Sequence, residues 1–321
     1  MWGSGYVATK VGLQYAPPFT FLTLRFCFGL AFLAPVVLLW KPRWPATRAE
    51  WGHLAVAGLL MHAVQLGSSH YAQYLGMSAG VVALIISAQP LLTAIIASRW
   101  LHARLAPGQW AGVAIGLAGV ALVVWHKIDI REVSAASLAA TIIASRWLHA
   151  RLAPGQWAGV AIGLAGVALV VWHKIDIREV SGASLLATVI ALLGVTAATL
   201  YQKTFCPNAD LKAAAVVQFA ASLAVLAPLA AAVEGFPVRW AWELAASIAF
   251  LVIFASYLAV SALHVLMRHG ESTRVTSMMY LPPIFAVVLE ALMFGIVPTG
   301  LTLVGIAVTC AGVAMTVWTG R

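Results

Sequence analysis

The sequence predicts an all-α integral membrane protein: two inverted five-helix repeats plus an added helical hairpin, about twelve apolar segments in total. Composition is the first reason. Of 321 residues, 62% are hydrophobic and 9% charged, against roughly 45–50% and about 25% in soluble domains, and the mean hydropathy is +0.95. Apolar runs of about twenty residues, each enough to cross ~30 Å of hydrocarbon, fill nearly the whole chain. Basic residues fall on alternate turns between those runs.

Taken in order, the apolar runs bounded by Pro, Gly and charge lie at residues 2–16, 18–40, 52–75, 79–101 and 108–125, then at 183–201, 211–233, 243–267, 273–294 and 299–318. The first is only about 22 Å of helix, short for a span, so we expect a clipped first helix. It has no basic segment before it and no small-residue cleavage site after it, unlike a signal peptide. With the N-terminus in the cytoplasm, Lys41, Arg43, Arg48, Arg99, Arg104, Lys203, Lys212, Arg268, Arg274 and Arg321 all face inward. The opposite turns at 15–19, 75–79 and 295–299 carry no charge, as the positive-inside rule requires. Outer loops near 127–132 and 234–243 mix both signs.

Two repetitions are present. One is faint: GVAIGLAGVALVVW at 112–125 is similar to GIAVTCAGVAMTVW at 305–318, and Pro90 precedes the first by the same distance as Pro283 precedes the second. Halves with an odd number of spans must be inverted in the membrane. The other is without change, residues 95–134 recurring as 142–181. An ancient architectural repeat would have drifted, so we read this one as a recent duplication that is functionally neutral. It adds a weak segment at 133–148, about 24 Å long, and a copy of the fifth span at 155–172, expected at the periphery of the bundle. The organisation expected is therefore 1–134, 135–181 and 182–321.

Charges within apolar runs are costly unless they are paired or line water, and Lys10, Arg25 and Glu290 are three such charges. Each sits roughly 10–12 Å below the outer surface by helical rise, so they could share one layer lining a cavity. Their net positive balance favours a carboxylate-bearing substrate, and Glu290 could hold a coupling proton. For Lys10 and Arg25 the plainer reading is snorkelling to the interface. For Glu290 it is a structural hydrogen bond. Gln65, Gln89 and Tyr280 lie near mid-membrane, with Gln89 and Tyr280 at the helix breaks expected at Pro90, Pro282 and Pro283. Proline kinks that only shape packing are the alternative.

Glycines 112, 116, 119, 305 and 312 suit close helix packing. His62, His70 and His264 lack metal-ligand spacing, and Cys27, Cys206 and Cys310 read as membrane-buried thiols. No metal or other cofactor is expected. Scattered basic residues argue against nucleic acid as a partner. Without a Walker motif, energy must come from a gradient or a partner.

WGSGYVATKVGLQ, PPFTFLTLRF, GMSAGVVALIISAQPLLTAIIAS and GQWAGVAIGLAGVALVVW resemble the first EamA domain of the drug/metabolite transporter superfamily. RHGESTRVTSMMYLPPIFAVVLEALMF and GIAVTCAGVAMTVW resemble the second. The resemblance implies ten helices in two inverted repeats in the bacterial inner membrane, with both termini cytoplasmic. It also implies secondary active export or exchange of small metabolites, amino acids or drugs. Lys10, Arg25, Gln89, Pro90, Pro283 and Glu290 fall at commonly occupied family positions. Where the family usually has Glu before each domain's last helix, this chain has Ala103, with Ala150 in the duplicate, and Ile296. Rival readings are a non-transporting membrane sensor or assembly subunit and, less favoured, a membrane-embedded enzyme, for which no clustered carboxylates or nucleophile are present. The expected partners are a small-molecule substrate and the lipid bilayer, with proton coupling open and the oligomeric state not fixed by sequence.

Overall fold

The computed structural model describes residues 2–86, 88–89, 92–93, 96, 181–258 and 282–295. The described segments are helical or short connections. They comprise α1 (Trp2–Gly12), α2 (Pro18–Trp40), α3 (Arg48–Gly58), a π-helical segment Leu59–Leu66 and α4 (Gly67–Tyr74). Next come α5 (Ala79–Ile86), α6 (Gly182–Phe205), α7 (Leu211–Val233), α8 (Trp242–Phe250), a second π-helical segment Leu251–Leu258 and α9 (Pro282–Phe294). The fifth and tenth apolar runs, the duplicate apart from Ser181, and its weak segment lie outside the described residues.

Among the described residues, three helices, α2, α6 and α7, are long and apolar enough to cross a membrane. Their outward faces carry large apolar side chains, among them Leu38, Leu186, Leu193 and Val225. Such faces suit acyl chains rather than water. Trp40, Trp44 and Trp51 gather where α2 passes to α3, and Trp240 and Trp242 where α7 passes to α8. Indoles of this kind settle at membrane interfaces.

Local chemistry explains the ends. Pro17 and Pro18 open α2, where a missing N–H costs nothing. Thr47 accepts from Glu50 N at the start of α3, Ser181 from Ser184 N at the start of α6, and Asp210 from Lys212 N and Ala213 N at the start of α7. These are side-chain N-caps. The first helix stops at Gly12, short of the expected residue 16, and the chain turns through Leu13–Ala16 on tightened backbone bonds. Gly12 is where a Cβ would collide with the Phe21 ring at 2.2 Å, so α1 and α2 meet there.

The third run holds a feature that hydropathy did not announce. Expected as one plain helix, it changes to π geometry at Leu59–Leu66 and back to α. Ser222 of α7 donates to the Gly58 carbonyl at 3.1 Å where the ladder changes. A Cβ on Gly58 would lie 2.5 Å from the Gln218 Cα, so the two backbones nearly touch. The third run of the second half also passes from α to π geometry, at Leu251–Leu258 after α8.

A second correspondence joins α2 and α7. Both are 23 residues long with a proline, Pro35 and Pro228, at the same position. In that register Arg25 matches Gln218 and Phe26 matches Phe219. The matched phenylalanines touch, with ring centroids 5.2 Å apart. A residue contacts its own counterpart only near an axis relating the two.

Candidate functional site

Glu290 of α9 is 3% exposed and sits at the meeting of α1, α5 and α9. Its Oε1 accepts from Lys10 Nζ at 2.5 Å and from Ala79 N at 3.0 Å, and its Oε2 from Gly80 N at 2.8 Å. The carboxylate therefore closes the first turn of α5, where the helix dipole favours negative charge. Gly80 makes this approach possible, since a Cβ there would lie 2.5 Å from Val287 Cγ2. The Lys10 ammonium also lies 5.0 Å from the Phe294 ring centroid, a cation–π contact. This is the one ion pair among the described residues.

Arg25 belongs to a different set. It is 9% exposed, and its Nη2 donates to Ser256 Oγ at 3.2 Å. No carboxylate lies in ion-pair range of it among the described residues. Two histidines pack on the same helix as Arg25, His62 against Phe26 and His70 against Phe21, with ring centroids 5.4 and 5.9 Å apart. His70 is buried, with Thr9 Oγ1 and Ser69 Oγ each 3.4 Å from a ring nitrogen. His62 lies between Phe26 and Phe219, with centroids at 5.4 and 5.0 Å. The Gln218 amide sits beside it. Yet at normal hydrogen-bond geometry neither His62 Nδ1 nor Gln218 Nε2 has a partner among the described residues.

Of the residues singled out in the sequence, Lys10 and Glu290 are thus in direct contact, while Arg25 bonds to Ser256. Gln89 Nε2 donates to Thr199 Oγ1 on α6 at 2.8 Å. Gln65 is buried in the first π-helical segment, against α6 at Gly194. Pro282 and Pro283 are the first two residues of α9. Tyr280 and Pro90 lie outside the described residues. Sequence reasoning passed over Gln218, and it weighed His62 only as a metal ligand. The signal available for Gln218 was its position in α7, which repeats that of Arg25 in α2.

Long apolar helices with large side chains on their outward faces, around a buried carboxylate that holds a lysine, define a multi-pass membrane protein. Residues 1–125 and 182–318 match the model of the EamA-like transporter family, and the chain belongs to that family. The match leaves out 126–181, which holds the whole second copy of the duplicated stretch. The chain is 30% identical over 123 residues to the "Uncharacterized inner membrane transporter YedA" of Escherichia coli (strain K12), covering 38% of this chain and 40% of that one. It is 29% identical over 134 residues to the "Probable amino-acid metabolite efflux pump" of Salmonella typhimurium (strain LT2), covering 42% of each. The alignments thus span about two fifths of the length of these relatives. A crystal structure of another protein superposes over 100% of this chain and 94% of its own with a TM-score of 0.61 at 17% identity, a likeness of fold.

Proposed function

We propose that the protein is a secondary active transporter of the bacterial inner membrane that exports or exchanges small carboxylate-bearing metabolites by alternating access. Its halves, 1–134 and 182–321, act as inverted five-helix repeats with both termini cytoplasmic, and 135–181 is a peripheral addition. The observation that carries this reading is the bond set of Glu290. One buried carboxylate of the second half holds a lysine of the first run and the first turn of the fourth. When Glu290 takes a proton, it loses its attraction for Lys10 and one of its acceptor oxygens for the α5 amides. The contact between α9 and the α1–α5 side loosens, and proton uptake becomes linked to a change of shape. Arg25, buried without an acidic partner among the described residues, receives the substrate carboxylate.

The relatives named as an inner membrane transporter and an amino-acid metabolite efflux pump support the general direction of this reading. The test is uptake of radiolabelled lactate and amino acids into proteoliposomes under an imposed proton gradient. The expected result is accumulation by the wild type, exchange without gradient-driven accumulation by Glu290→Gln, and neither by Arg25→Ala. Wild-type rates and pH dependence in both variants would overturn the proposal, as would the absence of any accumulation by the wild type.

A further inference from the structure

Resting on the reading of Arg25 as a carboxylate receptor, we infer that the substrate is a hydroxy or keto acid rather than an amino acid, its neutral oxygen being bound by His62 and Gln218. The touching pair Phe26 and Phe219 marks the axis between α2 and α7. The residue before each phenylalanine is polar and buried, Arg25 in one half and Gln218 in the other. The two halves therefore offer unlike groups at like positions, a full cation on one side and a neutral amide on the other. A ligand seated across the axis has one orientation only.

Both neutral groups have spare bonding capacity. Gln218 is 7% exposed, and its Nε2 is a donor without an acceptor among the described residues. His62 Nδ1, shielded between two phenylalanine rings, is likewise unpaired. Buried polar atoms left unmatched are costly, so a ligand oxygen that meets them is strongly favoured over an apolar atom in the same place. An amide N–H calls for an acceptor, which a hydroxyl or carbonyl oxygen supplies and an ammonium does not. An ammonium would also sit near Arg25 with no carboxylate to balance it among the described residues, since Glu290 is already held by Lys10, Ala79 and Gly80. The rings of Phe26, Phe219 and His62 leave an apolar body as the third element of the ligand.

The experiment measures binding of three acids of one skeleton, 3-phenyllactate, 3-phenylpropionate and phenylalanine, to the detergent-purified full chain by tryptophan fluorescence. Phenyllactate is expected to bind about tenfold more tightly than either of the others, the size of one buried hydrogen bond. Gln218→Leu is expected to remove the preference for phenyllactate over phenylpropionate, with circular dichroism and the elution volume of the purified variant checking that it is folded. Equal affinities for phenyllactate and phenylpropionate would overturn the inference. So would phenylalanine binding as tightly as phenyllactate, or a preference that survives Gln218→Leu. These outcomes leave the carboxylate reading of Arg25 standing. Failure of all three acids to bind, or unchanged binding in Arg25→Gln, would remove that reading and the inference with it.

Discussion

Glu234 and Glu290 do the same thing at two places, with different surroundings. Glu234 follows α7 and accepts from Phe19 N at 3.0 Å and from Thr20 N and Thr20 Oγ1 at 2.7 Å, closing the first turn of α2. Glu290 closes the first turn of α5 in the same manner. Both carboxylates belong to the second half and both grip helices of the first. Glu234, however, is half-buried in a loop and meets no basic side chain within ion-pair range among the described residues, whereas Glu290 is buried and holds Lys10. A half-exposed cap has water to fall back on when its charge changes, and it serves as a staple. A buried cap with a lysine has no such reserve, so adding a proton there alters how the helices hold one another.

The largest effect that would break this comparison is expected at Glu290. Glu290→Leu removes every acceptor from Lys10, Ala79 and Gly80 and should destabilise the protein by about 3–5 kcal/mol. The measurement is thermal unfolding in detergent, and a melting temperature equal to the wild type would show that the pair contributes little. Next is Gly80→Ala, whose methyl group must displace Val287 and draw α5 away from the carboxylate, a cost of about 1–3 kcal/mol. It should also weaken gradient-driven uptake, since the coupling contact is stretched. Smaller again is Glu234→Ala, expected to cost about 0.5–2 kcal/mol as lost helix caps do. Its proton coupling in proteoliposomes should match the wild type, and loss of coupling would erase the distinction between the two carboxylates. The smallest is Gln89→Leu, which loses one bond to Thr199 between helices and should cost about 0.6 kcal/mol.

How much of this was legible from sequence depended on the kind of signal. The bounds of α2 and α7 followed from Pro18, Lys41, Leu211 and Glu234, because prolines, caps and charges mark where an apolar run must stop. Lys10 and Glu290 could be matched by depth alone, and they meet. Arg25 had the same depth but a different partner, because depth fixes one coordinate and leaves the direction around the helix open. Glu234 read as part of a mixed-charge loop, since nothing in a loop's composition says which amides it will cap. The π-helical segments were invisible because the shift from four to five residues per hydrogen bond leaves hydropathy unchanged. Gln218 carried no signal of its own and His62 stood out only as a possible metal ligand, because nothing in the sequence announces that Phe26 and Phe219 touch beside them.

The π-helical segments carry one more consequence. An α-helix advances about 100° per residue, so absorbing a single extra residue of a wide turn back into α geometry swivels everything beyond it by roughly that angle. In the third run, the residues beyond such a turn include His70 and Gln73, both buried against neighbouring helices. A helix that stores a spare residue can therefore exchange the side chains it presents without unfolding or sliding through the bilayer, and the described residues hold one such reserve in each half.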